Sequence, residues 1–267
     1  MSHPEKVSTL IVGASMLGLG ILSGKGENAL LLESGNSVGS EFIRSFKLAR
    51  TAYSSVTSKG RELEQEMAGR NISGQDGRLH LPGLMPVLIK LIVEDKLNVR
   101  MQTSVLDVKE HKGKYEVQVY DASGLRTIWA DEVIDTTLAC STRPADFRCK
   151  SKHVNLIVRG LPDSLPAEEI EGFAVLRGRF GQETVLQFPL DPQDGWITAR
   201  NKLFEFWLNR PGALVSSAFV THADEFDMTY DMDCSQIGSC WSWRPSGYYA
   251  SPLEAFDHGI HIGKGGC

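Results

Sequence analysis

The sequence predicts an α/β fold: a central parallel sheet carrying a β-meander, with a small β-rich region inserted late in the chain. Three observations predict it. Residues 9–33 read as strand, glycine turn, helix, strand, acid. Residues 103–130 read as three strands joined by short turns, with Tyr115, Val117 and Val119 alternating against Glu116, Gln118 and Tyr120. Beyond about residue 145 the pattern shifts to further strands and one helix before a last helix.

Taken in order, Thr9-Leu10-Ile11-Val12 is short, apolar and β-branched, as in a buried parallel strand. It runs into Gly13-Ala14-Ser15-Met16-Leu17-Gly18. Leu19 to Ser23 continue a short helix that Gly24 and Gly26 end. Ala29-Leu30-Leu31-Leu32 is a second strand, closed by Glu33. Residues 40–80 are polar, with a helical turn or two over Arg61–Met67 and a loop over Asn71–Gly77. Pro82 opens a helix in its favoured first-turn position. Leu84, Leu88, Leu91 and Ile92 give that helix one apolar face, and Asn98 ends it. Val99–Val108 is extended, Asp121-Ala122-Ser123-Gly124 is a turn, and Leu125–Trp129 returns as a strand. Val133-Ile134 is a separate short strand ending at Asp135-Thr136-Thr137. In the later region His153–Arg159, Phe173–Arg179, Thr184–Phe188 and Leu214–Thr221 read as strands, and Trp196–Asn209 as a helix. Ser251–Ile262 is a helix with Leu253, Phe256 and Ile260 on one face, and Gly265-Gly266-Cys267 is a fraying tail.

Composition excludes several classes. The 267 residues carry a formal charge of −5, which argues against a nucleic-acid partner. No run approaches the ~18 apolar residues of a membrane span. Met1–Ser8 is polar and the first apolar run stops at Gly13, unlike a signal peptide. The five cysteines, Cys140, Cys149, Cys234, Cys240 and Cys267, are odd in number and scattered, which points to a reducing, cytoplasmic setting. The 26 glycines exceed the usual ~7% of a chain, so their positions matter.

A dinucleotide site needs a tight first strand-to-helix turn, close backbone approach to a pyrophosphate, and helix N–H groups aimed at it. Gly13 supplies the turn and Gly18 lets the helix pack on the strand. The middle glycine of the usual pattern is Ser15, small and able to offer a hydroxyl to a phosphate, though stiffer. Glu33, 20 residues after Gly13 at the end of the second strand, is placed to accept both ribose hydroxyls of an adenosine. It disfavours a 2′-phosphate and leaves FAD and NAD open. A phosphate loop fails because Gly24-Lys25 is followed by Gly26. A hydrolase elbow fails because residue 17 is leucine.

The order of βαβ unit, Pro82 helix, meander and Val133–Thr137 strand resembles the FAD-dependent oxidoreductases of the glutathione-reductase-like, two-dinucleotide-binding flavoprotein superfamily, in its small single-FAD-domain type. The likeness covers about residues 1–140 and 245–264. It implies a Rossmann-like FAD/NAD(P)-binding domain with FAD as cofactor. Gly13, Ser15 and Met16 would cradle the pyrophosphate, Glu33 the ribose and Val105 the adenine. Thr136, Thr137 and Pro252 would line the flavin. Gly18, Ser34, Gly39, Ser40 and Leu253 complete the implied cofactor set, Gly39 and Ser40 in the Gly-rich loop Ser37-Val38-Gly39-Ser40 after Glu33. Ser15, Leu138 after Thr137, and Tyr248-Tyr249-Ala250 where the family carries a Gly-Asp pair all depart from the pattern. No second glycine fingerprint follows, so no nicotinamide domain is expected.

The expected organisation is a discontinuous FAD domain, 1–145 and 241–267, with 146–240 as a substrate region. Part of the glycine excess is assigned to cofactor turns at 13–20 and 35–39. On the substrate side His80, Arg244 and Tyr249 are candidates for contact or proton transfer. For His80 the plainer reading is a partly exposed loop histidine without an identifiable partner. Trp241 and Trp243 would roof a flavin or pack a core, in equal measure. Cys140 reads as a buried, unreactive thiol, and the five acids of Asp224–Asp233 as a solvated face. Cys234 and Cys240 lack metal-ligand spacing, so no metal is expected. The expected activity is FAD-dependent oxidation or reduction of a small molecule, with oligomeric state open. The alternative is an FAD- or NAD-binding module without turnover.

Overall fold

A computed structural model describes residues 5–49, 51–161, 169–170, 172–181 and 183–265. Gly266 and Cys267 of the expected tail lie outside the described residues. The first part of the chain runs β1 (Glu5–Val12), α1 (Met16–Lys25), β2 (Ala29–Leu32), α2 (Ser40–Ile43), α3 (Ser58–Gly69), α4 (Leu81–Glu94), β3 (Val99–Arg100), β4 (Ser104–His111), β5 (Lys114–Asp121) and β6 (Gly124–Asp135). The later part runs β7 (Ser151–Arg159), β8 (Glu169–Ile170), β9 (Phe173–Arg177), β10 (Thr184–Leu190), α5 (Trp196–Leu208), β11 (Ala218–His222), β12 (Asp227–Thr229), β13 (Ser235–Gly238), β14 (Trp241–Trp243) and α6 (Pro252–Gly263).

One sheet has the order β13-β14-β6-β1-β2-β3, with the β4–β5 meander branching from β6. β14, β6, β1, β2 and β3 run parallel. In register, Val12 lies beside Leu32 on one side and Asp135 on the other. Three strands therefore end at one level, and the turns after residues 12, 32 and 135 meet there. Ligands of open α/β sheets bind at such strand ends. The second sheet, β11-β7-β10-β9-β8 with β12 also on β7, is antiparallel throughout.

Two expected strands are one. Leu125–Trp129 and Val133-Ile134 fuse into the 12-residue β6. Its first half pairs antiparallel with β5 and its second half parallel with β1. Asp131-Glu132 does not break it because the charges are held: Lys114 pairs with Asp131, and Glu132 accepts from Lys25 Nζ and Thr9 Oγ1 at 2.7 and 2.8 Å. The expected strand from Leu214 instead starts at Ala218, after a 3-10 turn at Gly212–Leu214. The short β13 and β14 went unforeseen, and they complete the first sheet.

α1 packs on α6 with the backbones nearly touching. A Cβ on Gly20 would lie 2.1 Å from the Phe256 carbonyl oxygen, and one on Gly24 2.6 Å from that of Ile260. The reverse holds for Gly259 against Leu17 O, at 2.3 Å, and for Gly263 against Ile21 O, at 2.4 Å. Gly24 is thus inside the helix rather than at its end; Gly26, at φ +79°, caps it. Much of the glycine excess near the N-terminus serves this crossing rather than a cofactor turn.

Candidate functional site

Gly13 has φ +97°, and a Cβ there would sit 2.9 Å from Thr137 Cγ2, so the turn requires glycine. A Cβ on Gly18 would fall 2.3 Å from the Gly13 carbonyl, the close helix-on-strand contact expected of it. Ser15 is the N-cap of α1 and is buried. Its Oγ accepts from Gly18 N–H at 2.9 Å and donates to Thr136 Oγ1 at 2.8 Å. Thr136 Oγ1 in turn reaches the carbonyls of Val12 and Gly13, both at 3.0 Å. The Ser15 hydroxyl, expected to be available to a phosphate, is already engaged.

Glu33 joins three segments. Its Oε2 accepts from Ala14 N–H at 2.8 Å and its Oε1 from Gly35 N–H at 2.7 Å, while its carbonyl accepts from Thr103 N–H at 2.8 Å. Ser34 is exposed, its hydroxyl 3.4 Å from Glu33 Oε1. Gly39, at φ +63°, donates its N–H to Ala14 O at 2.7 Å and starts α2. Ser40 makes a side-chain hydrogen bond to Glu225. Val105 pairs with Val119 in the meander. Thr137 donates N–H and Oγ1 to the buried carboxylate of Asp135, which burial pushes up in pKa against these hydrogen bonds. Pro252 and Leu253 start α6 and are buried.

One residue of the cradle went unnoticed in the sequence. Glu41 is 2% exposed, and its Oε1 accepts from Met16 N–H, at the first turn of α1, at 2.7 Å. Its Oε2 is buried without a hydrogen-bond partner. The only signal was an acid in the otherwise apolar helical turn Glu41-Phe42-Ile43. Burial pushes the Glu41 carboxyl up to about 8, with Glu225 adding to the rise, while the Met16 N–H and Lys47 oppose it. The N–H groups of Ala14, Met16 and Gly18 suit an anion, and each already holds an oxygen of the chain itself. Of the three, only Met16 N–H would be freed by a movement of Glu41.

Glu41 also makes stability depend on pH. Its carboxyl titrates near 4.5 when unfolded and about 8 when folded, so between those values the folded chain holds the extra proton. The stabilisation is complete below the lower value and is lost as pH rises through the higher. The melting temperature is expected to fall from pH 5.5 to pH 9, by a free energy on the order of a few kcal/mol. Glu41→Gln should flatten that slope in circular-dichroism melts; equal slopes in both proteins would refute the assignment.

Beyond the cradle, side chains of residues 44–47 bridge to the later region. Arg44 pairs with Asp224 and Glu225, at 2.9 and 3.2 Å. Lys47 Nζ donates to Gly247 O at 2.9 Å and lies 3.9 Å from the buried Asp227. Asp227 Oδ2 accepts from Gln187 Nε2 at 2.6 Å and Asn155 Nδ2 at 3.2 Å, and Asn155 Nδ2 also donates to Ser45 O. The Asp224–Asp233 stretch is therefore partly an interior clamp and not simply a solvated face.

Each substrate-side candidate makes contacts within the chain. His80 does have a partner: its Nδ1 contacts Glu183 beside the β9–β10 turn, and its ring meets Phe180 edge-on at 5.2 Å. Tyr249 is 2% exposed and packs with Leu253 and Phe256, its phenol raised in pKa by burial. Arg244 is half-buried, its charge acting on Cys234 and Tyr249, and its N–H donates to Asp135 O. Trp241 and Trp243 form β14 and pack in the core, Trp243 Nε1 donating to Thr137 O at 2.8 Å. Burial pushes the Cys140 thiol up to about 12. Among the described residues no group of metal-ligating side chains occurs, and no helix is long and apolar enough to cross a membrane. A cavity of about 760 Å³ lies on the second sheet, walled by Arg78, His153, Phe173, Arg177 and Gln187 and by Leu48 of the first part of the chain.

No protein-family model matches this chain, and no curated protein sequence does. Solved structures match across nearly its whole length. A geranylgeranyl bacteriochlorophyll reductase-like protein from Thermoplasma acidophilum aligns with TM-score 0.65 at 10% identity, over 98% of this chain and 78% of that one. A flavoprotein/dehydrogenase from Cytophaga hutchinsonii aligns with TM-score 0.58 at 13% identity, over 98% and 80%. The p-nitrophenol 4-monooxygenase of Pseudomonas putida aligns with TM-score 0.59 at 12% identity, over 97% and 78%. The fold is the one these solved structures share, a flavoprotein/dehydrogenase among them. At these identities the likeness concerns the fold, and the site must be argued from the residues themselves.

Proposed function

We propose that this chain is an FAD-dependent oxidoreductase acting on a small molecule. The observation that carries the reading is the shared level of three strand ends, where Gly13, the start of α1 and the Glu33 carboxylate converge. Gly13, Met16 and Gly18 would approach the pyrophosphate through their backbone, with Ser15 fixing the turn. Glu33 and Ser34 would face the ribose, Gly39 and Ser40 the adjoining loop, and Val105 the adenine. Thr136, Thr137, Pro252 and Leu253 would border the flavin, which supplies the redox chemistry when bound. Residues 1–145 and 241–267 would form the cofactor domain, and 146–240 the substrate region, with the cavity beside Arg177 and His153 as its binding space.

The purified protein is expected to take up FAD and show its absorbance; a colourless protein that binds no added FAD overturns the reading. Glu33→Ala should weaken FAD by about 10- to 100-fold, on the order of 1–3 kcal/mol. Glu33→Gln keeps an acceptor for only one of the Ala14 and Gly35 amides and removes the charge, so melts of both variants are needed to separate ribose recognition from loop integrity. Unchanged FAD affinity in both variants would remove Glu33 from the site.

A second reading, a nucleotide-binding module without turnover, is favoured by one observation: the position of Glu41 on the first-turn amide of α1. Photoreduction followed by exposure to oxygen or quinones separates the two, since brisk reoxidation belongs to the enzyme.

A further inference from the structure

The anion position of the cradle carries a carboxylate from 25 residues away and from another element. That is unlike ordinary helix capping, in which the acceptor comes from the residues flanking the helix start. α1 already has such a cap in Ser15. That cap serves Gly18 N–H, whereas Glu41 serves a different first-turn amide; it is buried to 98% with one oxygen on Met16 N–H and the other without a partner. An unsatisfied buried carboxylate oxygen is costly, so its retention calls for an account beyond packing.

Resting on the dinucleotide reading of the cradle, we propose that Glu41 decides whether that cradle accepts a diphosphate. Its carboxylate stands where a phosphate oxygen would accept from Met16 N–H, and a diphosphate ligand enters by displacing it. Both groups need the same donor, and the Glu41 carboxylate, when ionised, repels an arriving anion. Glu33 and Glu225 add negative charge nearby, and Lys47 is the countercharge. Glu41 belongs to the four-residue α2, which begins at the left-handed Gly39 and has no side-chain cap.

The experiment titrates FAD and, separately, inorganic pyrophosphate into the full-length wild type, Glu41→Gln and Glu41→Ala by calorimetry. Circular-dichroism melts confirm folding. Glu41→Ala is expected to bind both ligands at least tenfold more tightly than wild type. With the titrations run at pH 9, where Glu41 is ionised, Glu41→Gln should fall between, because its amide oxygen still serves Met16 N–H but carries no charge. If Glu41→Ala fails to fold, the isosteric Glu41→Gln alone carries the comparison. A gain for pyrophosphate without any FAD binding upholds the role of Glu41 and removes the flavin reading. Wild type binding pyrophosphate as tightly as both variants overturns the role of Glu41, and FAD uptake by wild type in that case leaves the flavin reading standing.

Discussion

Gly20→Ala should lower stability by on the order of 3 kcal/mol, a large effect for one methyl group. The new Cβ would lie 2.1 Å from the Phe256 carbonyl oxygen and 2.9 Å from its carbon, both backbone atoms that cannot swing aside. α1 must then move away from α6, reopening the contact that Leu17, Ile21, Phe256 and Ile260 bury. Gly69→Ala is the control. Gly69 lies in α3 and a Cβ there would meet nothing within 4 Å. Alanine exceeds glycine in helix propensity by up to about 1 kcal/mol, so this change should be neutral or stabilising. Urea denaturation of the two variants should show midpoints moving in opposite directions. Similar shifts would mean that the helices tolerate separation and that close approach is not what Gly20 provides. Because α1 also carries the amides of Met16 and Gly18, Gly20→Ala should disturb the cradle as well as the core.

Asp227→Ala is expected to cost about 3–5 kcal/mol. Asp227 is 3% exposed and takes hydrogen bonds from Gln187 and Asn155 with Lys47 alongside, so its removal strips a buried ammonium of its carboxylate and two buried amides of an acceptor. Most of that loss is the penalty of the groups left behind rather than the worth of the pair. Asp227→Leu combined with Lys47→Met removes both charges and should recover much of the stability lost in Asp227→Leu alone. Urea midpoints of the single and double variants measure the coupling. A single variant within 1 kcal/mol of wild type would show that water screens the pair. The clamp holds β7, β10 and β12 of the second sheet to the segment after α2, so its loss should also loosen the wall of the cavity beside Leu48.

Most of the cradle's framework was legible because its signals are local. The apolar run before Gly13, the helix spacing after it and the acid after Leu32 all lie within 25 residues, where periodicity and turn chemistry operate. The meander was legible from its period-two alternation. The fused β6 was missed because Asp131-Glu132 resembles a break until Lys25 and Lys114, from other elements, neutralise it. His80 looked partnerless because Glu183 is 103 residues away. Trp241 and Trp243 could be read as a roof or as core with equal ease, since a three-residue strand has too few positions to show a period. The two glycine pairs, Gly20 with Gly24 and Gly259 with Gly263, share a spacing of four that is intelligible only when the two helices are seen to cross.

The sequence by itself determined that a strand ends in a glycine turn at residue 13, that a helix starts just beyond it, and that an acid closes the next strand. These follow from short-range sterics and propensities that each segment carries wherever it is placed. Only the tertiary structure decided which oxygens occupy the amides at that helix start. Parallel pairing in one register brings the ends of β1, β2 and β6 together, and the chain after β2 then delivers Glu41 to Met16 N–H. An N–H at a helix terminus donates to whatever acceptor the topology brings within about 3 Å, and no local pattern specifies which that will be.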